Sequence, residues 1–238
     1  MKTAVVTLAS KVFRKLKSQY LITKYRSNSD PRSFEWDWKT VNFNRVALVN
    51  NLGKRLGNPR YLEIGCDDNQ LFDSVDFDKK VGVDPAKGGT LRVTSDAFFE
   101  KEDNEFDLVF IDGLHTYSQA RRDVMNSLSN LSEHGWIALH DMLPRTWKEA
   151  HVPRLTDGNW TGDVWKLAFE LAATPGLDFK IIRIDNGVGV IRRSSNYSEV
   201  ADLSSTLESA TFSYYADHIL ELPTVEWAEA LEWIAKNS

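Results

Sequence analysis

Short apolar runs alternate with segments of helical periodicity from residue 60 onward, and this alternation limits the folds open to the chain. Strands that alternate with helices are typical of a parallel sheet with helices on both faces. The runs predict seven strands, at residues 60–64, 80–83, 91–94, 106–111, 136–140, 179–184 and 188–192. The segments between them predict helices at residues 69–75, 118–131 and 163–173. We therefore expect a doubly wound α/β sheet.

The last two predicted strands are expected to run antiparallel. Only Asp185, Asn186 and Gly187 separate them, and Asn and Gly adopt the positive φ of a tight hairpin turn. Beyond the sheet, the pattern predicts helices at residues 41–57, 197–209, 212–221 and 224–236. We expect one α/β domain over residues 58–193, with helical extensions at residues 1–57 and 194–238.

Basic side chains alone precede the first acid, Asp30. They are Lys2, Lys11, Arg14, Lys15, Lys17, Lys24 and Arg26. Apolar side chains recur at three- or four-residue steps in the same segment, at Val5, Leu8, Ala9, Val12, Phe13, Leu16 and Tyr20. This pattern predicts a basic amphipathic helix. Such a helix can lie on an anionic membrane surface, contact nucleic acid, pack against its own domain, or pack against a second copy in a homodimer.

The composition excludes several classes of protein. The chain has 238 residues and a net charge of −5. From Asp30 onward it contains 22 of its 29 Lys and Arg but all 34 of its Asp and Glu, so this part is strongly acidic. General nucleic-acid binders gain affinity by neutralising phosphates, so we expect no nucleic-acid partner. The longest apolar runs have four or five residues, too few for a transmembrane segment. A single cysteine, Cys66, and no recognisable leader predict a cytoplasmic protein without disulfides.

A long connection without regular periodicity spans residues 143–162 and contains two prolines and two glycines. Loops of about 20 residues inside a compact domain are commonly lids or binding loops. Its side chains that could shape a pocket are Arg145, Trp147, Lys148, His151, Arg154 and Trp160. The alternative is a surface excursion whose aromatic rings pack on the core.

Acidic side chains follow the first three predicted strands. Gly65 makes the turn after the first strand, but Asp67 and Asp68 stand where a glycine-rich loop would bind pyrophosphate. This turn therefore suits a cationic or zwitterionic ligand. Asp84 ends the second strand, where a carboxylate can accept hydrogen bonds from ribose hydroxyls or cap a turn. Asp96 follows the third strand, where it could contact adenine or belong to an ordinary helix cap.

The order of these motifs resembles the class I S-adenosylmethionine-dependent methyltransferases, over roughly residues 58–193. The resemblance rests on Glu63-Ile64-Gly65, Gly82-Val83-Asp84-Pro85, Ser95-Asp96 and the strand ending at residues 111–112. It implies a Rossmann-like sheet and a site for S-adenosyl-L-methionine that includes Glu63, Gly65, Asp84 and Asp96. The second and third glycines of the family's first motif are missing here.

Further stretches are similar to a bacterial group of sugar and macrolide O-methyltransferases, which is related to catechol-type enzymes. They are residues 111–117, 122–123, 135–141 and 162–166. The similarity implies that carboxylates at the ends of the fourth and fifth strands bind a divalent metal. In this sequence those carboxylates are Asp112 and Asp141, with His140 beside them.

The residues themselves agree with such a metal site. Asp112 ends one strand, and His140 with Asp141 ends the next, so adjacent parallel strands would bring them to one edge of the sheet. Oxygen-rich sites suit Mg²⁺, whereas a histidine ligand shifts the preference toward Mn²⁺, Fe²⁺ or Zn²⁺. Catechol-type relatives carry an acid where His140 stands. The alternative is that the two carboxylates cap loops and His140 makes ordinary strand-end contacts.

His115 is the predicted general base. It stands three residues after Asp112, where catechol-type relatives carry a lysine base. Methyl transfer to a hydroxyl requires removal of its proton, and a histidine of near-neutral pKa can accept it. The alternative is a loop histidine that hydrogen-bonds to the backbone.

These motifs together predict metal-assisted O-methylation of a small hydroxylated acceptor, such as a sugar or glycoside. An NAD-binding nucleotide-sugar oxidoreductase would share the nucleoside pocket, but the acidic turn after Gly65 disfavours it. A non-catalytic module that binds S-adenosylmethionine is the third hypothesis.

Overall fold

A seven-stranded sheet forms the centre of the molecule in the computed structural model, which describes residues 2–36 and 41–237. The strands are β1 (Arg60–Ile64), β2 (Lys79–Val83), β3 (Phe106–Ile111), β4 (Leu131–Leu139), β5 (Leu177–Ile182), β6 (Val188–Arg193) and β7 (Thr224–Val225). Their order across the sheet is β2-β1-β3-β4-β6-β5-β7. Strands β1 to β4 pair in parallel, and β6 runs antiparallel to both β4 and β5. The predicted, mostly parallel sheet with an antiparallel hairpin is confirmed.

Helices cover both faces of this sheet. They are α1 (Lys2–Lys24), α2 (Arg45–Leu56), α3 (Ser95–Phe99), α4 (Tyr117–Ser129), α5 (Trp165–Ala173), α6 (Ser204–Leu207), α7 (Phe212–His218) and α8 (Trp227–Lys236). Buried side chains of α4, α5 and α7 form one apolar cluster with the sheet, and those of α2 and α8 form another. The fold is therefore doubly wound, as predicted. None of the described helices is both long enough and apolar enough to span a bilayer.

The burial of strand β3 explains why the central strands are continuous apolar runs in the sequence. Val109 and Ile111 belong to the cluster on one face, whereas Leu108 and Phe110 belong to the cluster on the other. Successive side chains of a strand point to opposite faces, so a strand covered on both sides buries every position.

The strand predicted at residues 91–94 is wrong. Only Leu91 forms a bridge, to Val83, and both Leu91 and Val93 are exposed. Beyond this single bridge the chain leaves β2, and a helix begins at Ser95. The seventh strand is instead β7, which adds in parallel to β5 and lies where the sequence predicted a helix from residue 224. Helix α8 begins only at Trp227.

Two predicted helices are much shorter than expected. Residues 69–75 form a single 3₁₀ turn, Phe72–Ser74, because Asp67 and Asn69 adopt positive φ and the chain does not enter a regular helix. In the predicted helix at residues 197–209, only α6 forms. The amides of Ala201 and Leu203 donate hydrogen bonds to side chains of the neighbouring helix α5 and its C-cap instead of helical carbonyls.

The hairpin turn between β5 and β6 lies over the end of β4. Asp185, Asn186 and Gly187 have φ values of 43°, 62° and 84°. The amides of Met142 and Leu143, just after β4, donate to the carbonyls of Gly187 and Asn186 at 3.0 and 2.8 Å. These bonds fix the hairpin at the carboxyl edge of the parallel strands.

Candidate active site

A cavity of about 820 Å³ opens at the carboxyl ends of the parallel strands. Such edges are the usual ligand sites of open α/β sheets. Seven of the eight predicted site residues line it, namely Gly65, Asp84, Asp96, Asp112, His115, His140 and Asp141. These seven residues span 76 positions of the chain, from Gly65 to Asp141, and the fold brings them to one cavity.

Gly65 allows the turn after β1 to approach the turn after β3. Its φ is +84°, and a Cβ there would lie 2.1 Å from the carbonyl oxygen of Asp112. The amide of Asp112 in turn donates to the carbonyl of Ile64 at 2.8 Å. Only glycine fits this close approach, and it leaves backbone rather than a side chain facing the cavity.

The two acids after Gly65 are partly neutralised by a neighbouring lysine. Lys87 Nζ lies 2.7 Å from a carboxylate oxygen of Asp67 and 2.7 Å from one of Asp68. All three side chains are mostly exposed, so this pair of contacts is screened by water. Asp67 lines the cavity, and the turn retains a net negative charge there.

Glu63 lies beside the large cavity rather than on it. Its side chain is 1% exposed and accepts a hydrogen bond from the Tyr61 hydroxyl at 2.6 Å. Burial raises the pKa of Glu63 to about 7 despite that bond. Glu63 borders a smaller cavity of about 90 Å³ together with Arg45 and Asp112.

Asp84 caps the turn after β2 and also faces the large cavity. Its carboxylate accepts hydrogen bonds from the amides of Asp67, Ala86 and Lys87, at 3.1, 2.7 and 2.9 Å. Burial opposes ionisation, but these amides outweigh it and hold the pKa of Asp84 below its usual value. The turn cap considered for Asp84 is therefore present, and the same carboxylate lines the cavity.

Asp96 faces the cavity, and the helix cap belongs to its neighbour. Thr94 Oγ1 accepts a hydrogen bond from the amide of Ala97 at 3.2 Å, and α3 begins at Ser95. Asp96 Oδ1 accepts from Gln119 Nε2 at 3.1 Å. The Asp96 carboxylate remains half exposed at the cavity wall.

The carboxylates after β3 and β4 meet around His140. His140 Nδ1 lies 3.2 Å from Asp112 Oδ1 and 3.3 Å from Asp141 Oδ1. Asp141 has φ +64°, a left-handed conformation that is costly for a residue with a side chain and is frequent at functional sites. The structure brings these three residues together, as the sequence predicted.

His115 joins the same cluster from the cavity side. Its Nε2 lies 3.4 Å from Asp112 Oδ1, and its Nδ1 lies 3.0 Å from Asp141 Oδ2. The ring stacks on Trp160 at 5.1 Å, and Nδ1 lies 3.1 Å from the Trp160 carbonyl oxygen. The backbone contact considered for this histidine is therefore present, alongside the contacts to the two carboxylates.

Opposite charges shift the pKa values of Asp112, His115 and His140. Burial disfavours the charged form of each group, but the carboxylates of Asp112 and Asp141 outweigh it and raise the pKa of both His115 and His140. The histidines in turn hold the pKa of Asp112 far below its usual value despite its burial. The cluster is thus built to hold negative charge next to a cation or imidazolium group.

Three residues without a site signal in the sequence also support this cluster. Asp185 Oδ1 lies 3.6 Å from His140 Nε2, and Asp185 Oδ2 accepts a hydrogen bond from Arg45 Nη1 at 2.7 Å. Asn186 Nδ2 donates to Asp141 Oδ1 at 3.0 Å. In the sequence, Asp185 and Asn186 indicate only a hairpin turn. Nothing in the local sequence marks Arg45, at the start of α2.

The loop at residues 143–162 supplies one wall of the cavity. Arg154, Gly158, Asn159 and Trp160 line it. The other side chains considered for this role lie elsewhere: Trp147 is buried in the core, Arg145 pairs with Glu149, and His151 accompanies Asn28 in a separate cavity. The loop therefore places Trp147 on the core and Trp160 at the cavity.

The donor set at the cluster fits a divalent cation. One ligand atom each from Asp112, His115 and Asp141 lies within 4.8 Å of the others, and His140 Nδ1 approaches the same carboxylates. Among the described residues, the buried Nε2 of His140 has no hydrogen-bond partner. Two carboxylates with imidazole nitrogens suit Mn²⁺ and neighbouring metals, and the carboxylates alone suit Mg²⁺.

Comparison with known families gives one match. Residues 72–142 match a family model described as a methyltransferase domain. The matched segment contains Asp84, Asp96, Asp112, His115, His140 and Asp141. Among curated proteins, no relative matches the sequence.

Several solved structures are similar to this chain at low identity. The SAH-bound methyltransferase PaMTH1 of Podospora anserina is 18% identical, with a TM-score of 0.44 over 79% of this chain and 96% of its own. The O-methyltransferase of Bacillus cereus in complex with SAH is 11% identical, with a TM-score of 0.44 over 80% and 97%. The MycE methyltransferase of mycinamycin biosynthesis, solved with Mg and SAH, is 17% identical, with a TM-score of 0.40 over 79% and 57%.

The raised pKa of Glu63 predicts a pH-dependent stability. The pKa of Glu63 is about 7 in the folded protein, above its ordinary value of 4.5. Protonated Glu63 therefore stabilises the folded state fully below about pH 4.5, and this stabilisation is lost as the pH rises through 7. Glu63→Gln removes the titration and can still accept from Tyr61. We expect the free energy of unfolding of the wild type, relative to Glu63→Gln, to fall by about 3 kcal/mol between pH 4.5 and 8 in urea titrations.

Glu133→Gln is the control, because Glu133 is an exposed carboxylate of the same type. Its stability should run parallel to that of the wild type over the whole pH range. Parallel curves for Glu63→Gln as well would contradict the pKa assigned to Glu63.

Proposed function

We propose that this chain, which carries a methyltransferase domain, transfers the methyl group of S-adenosylmethionine to a hydroxyl of a small molecule with the help of a divalent cation. The observation that supports this proposal is that the cluster of Asp112, His140 and Asp141 opens onto the same cavity as Gly65 and Asp84. A nucleoside at Gly65 and Asp84 and an acceptor at the cluster would then share one space.

The charge of the cavity favours a cationic ligand over a pyrophosphate. Seven aspartates line it, namely Asp67, Asp84, Asp96, Asp112, Asp123, Asp141 and Asp185, against Arg45 and Arg154. The sulfonium of S-adenosylmethionine is positively charged, whereas the pyrophosphate of NAD would face like charges. This lining disfavours the oxidoreductase alternative.

Asp84 is suited to hold the ribose of such a ligand. Three backbone amides fix its carboxylate and keep it ionised, and it faces the cavity. An ionised carboxylate accepts hydrogen bonds from both ribose hydroxyls. Gly65 leaves room for the ligand's amino-acid part beside the backbone, and Asp96 offers a partner for the adenine.

The reaction itself is a displacement at the methyl carbon. The acceptor oxygen forms a bond to that carbon, the bond from carbon to sulfur breaks with its electron pair going to sulfur, and the hydroxyl proton must leave. A divalent cation bound by Asp112, His140 and Asp141 would lower the pKa of the acceptor hydroxyl. His115 would take the proton on Nε2, since the Trp160 carbonyl and Asp141 hold its Nδ1.

Burial separates the roles of the two histidines. The His115 side chain is 24% exposed and stacks on Trp160, within reach of a ligand in the cavity. The His140 side chain is only 7% exposed, behind the two carboxylates. We therefore assign proton transfer to His115 and metal binding to His140.

The loop wall supports a hydroxylated acceptor. Arg154 and Asn159 line this wall beside the indole of Trp160, where Arg154 also donates to carbonyls of its own loop and Asn159 pairs with Asn186. A few polar groups on a partly aromatic wall orient a polar small molecule. A sugar or glycoside is the acceptor class that we propose.

A panel experiment tests the proposed reaction. The purified protein is incubated with methyl-labelled S-adenosylmethionine, Mg²⁺ or Mn²⁺, and a set of sugars, glycosides and catechols. We expect a labelled methyl ether and S-adenosylhomocysteine in equal amounts for an acceptor of the sugar class. Tight binding of S-adenosylhomocysteine without turnover across the panel would favour the non-catalytic binding module, and NAD binding would favour the oxidoreductase.

Asp84→Asn should weaken binding of S-adenosylhomocysteine by about ten- to a hundredfold, or about 1.5 to 3 kcal/mol, because hydrogen bonds to a charged acceptor are lost. Calorimetry measures this affinity. Asp68→Asn is the control, since Asp68 also contacts Lys87 but lies outside the large cavity. Unchanged affinity in a folded Asp84→Asn protein would rule out the ribose assignment.

Asp141→Asn should lower Mn²⁺ affinity at least about tenfold while the affinity for S-adenosylhomocysteine stays nearly constant, because the cation contacts the acceptor side of the cavity. Electron paramagnetic resonance of free Mn²⁺ measures the binding. The exposed carboxylate of Asp103 gives the matched control, Asp103→Asn. Turnover that survives exhaustive chelation would refute metal assistance.

His115→Gln should lower kcat by about 10² to 10⁴ with little change in cofactor affinity, as expected for a lost general base. The wild-type rate should fall as the pH drops through the raised pKa of His115, because the base must be neutral to accept a proton. The variant should lack this acidic limb, and the exposed His134 provides the control variant His134→Gln. A normal rate and an unchanged limb in His115→Gln would exclude this base.

A further inference from the structure

Helix α1 presents a row of apolar side chains to solvent. Val12, Phe13, Leu16 and Tyr20 are 51%, 68%, 59% and 65% exposed. Positions four and seven apart lie on one face of a helix, so these four side chains form one continuous surface, here called the outer stripe. The predicted amphipathic helix is present, but this part of its apolar face is not packed on the domain. Val5, Leu8 and Ala9 continue the pattern at positions whose side chains the structure does not describe.

The opposite face fastens α1 to the domain. Leu21, Ile22 and the following Tyr25 are half-buried and pack against the core. Arg14, on the same side, lies 3.8 Å from Asp157 of the loop at residues 143–162. The helix cannot turn its outer stripe inward without giving up the apolar contacts of its last turns. The outer stripe is therefore a fixed outward surface.

Basic side chains border the outer stripe. Lys11 and Lys15 lie along one side of it and Lys17 and Lys24 along the other, and all four are exposed. Within the described residues, none of the four forms an ion pair. No acid occurs in the sequence before Asp30, so nothing on this helix offsets the charge. An apolar row between two lines of lysine is complementary to a surface that is apolar within and anionic at its boundary.

We propose that the outer stripe of α1 docks on an anionic lipid bilayer, with its apolar side chains in the acyl boundary and its lysines at the phosphates. Basic amphipathic helices bind such surfaces by burying apolar area and by attraction to anionic headgroups. Duplex nucleic acid offers phosphates but no apolar region for Phe13 and Leu16. A second copy would bring two lines of lysine against each other, which is repulsive. The acidic remainder of the chain confines the contact to this helix.

Sedimentation of the full chain with vesicles tests this docking. Vesicles of phosphatidylcholine alone are compared with vesicles containing about 30% phosphatidylglycerol. We expect binding to the anionic vesicles, little binding to the neutral ones, and a marked loss of binding between low salt and 0.5 M NaCl, since salt screens the lysines (~3–4 Å Debye length at that concentration).

Two sets of variants separate the charges from the apolar row. Lys11→Glu, Lys15→Glu and Lys17→Glu combined should reduce partitioning by about tenfold or more, since each basic side chain contributes appreciably near an anionic surface. The control is the same charge change at the exposed Lys54, Lys101 and Lys236. Phe13→Asp with Leu16→Asp should have a similar effect, whereas Leu220→Asp, at a side chain that is 97% exposed, should have none.

The altered side chains are all exposed, so the unfolding midpoint should stay unchanged in every variant. Equal partitioning onto neutral and anionic vesicles, or none onto either, would overturn the proposal. A dimer in light scattering that Phe13→Asp with Leu16→Asp dissolves would assign the outer stripe to a second copy. Duplex DNA that competes fully with the vesicles would assign it to nucleic acid.

Discussion

The close approach of the turn at Gly65 to the turn at Asp112 is the constraint on which the rest of the site depends. With a left-handed φ and no side chain, Gly65 lies against the Asp112 carbonyl, and the Asp112 amide binds the Ile64 carbonyl in return. This contact aligns the ends of β1 and β3. Asp112 is thereby held at the cavity, with His140 and Asp141 next to it directly after β4. A larger residue at position 65 would clash with the backbone of Asp112 and push the ends of β1 and β3 apart.

The charge cluster is stable only because its parts come from several elements. Asp112, Asp141 and Asp185 would repel one another, and the two histidines with Arg45 provide the opposite charge. Asn186 fixes the Asp141 carboxylate from the hairpin. Buried charges are costly unless they are paired and hydrogen-bonded, so β3, β4, the hairpin and α2 must all be in place before the cluster is tolerated.

The loop at residues 143–162 connects the cavity with the N-terminal helix. Its Trp160 stacks on His115, and the neighbouring Asp157 lies beside Arg14 of α1. The outer stripe of α1 faces away from this contact. We propose that the cavity and the outer stripe both bind ligands. The loop at residues 143–162 borders the cavity and contacts α1 on the face that is opposite the outer stripe.

The sequence by itself determined the strands β1, β2, β3 and β6, the hairpin turn, the methyltransferase-like motifs and seven of the site residues that line the cavity, because periodicity, turn chemistry and strand-end positions are local properties. Residues 72–142, which contain most of these motifs, match a family model described as a methyltransferase domain. Only the tertiary structure decided that residues 91–94 form a single bridge and no strand, that β7 completes the sheet, and that α1 turns an apolar face outward. It also decided the pairing of Arg45 with Asp185, which are 140 positions apart. Edge pairing and ion pairs between distant elements depend on which surfaces meet, and no local pattern carries that information.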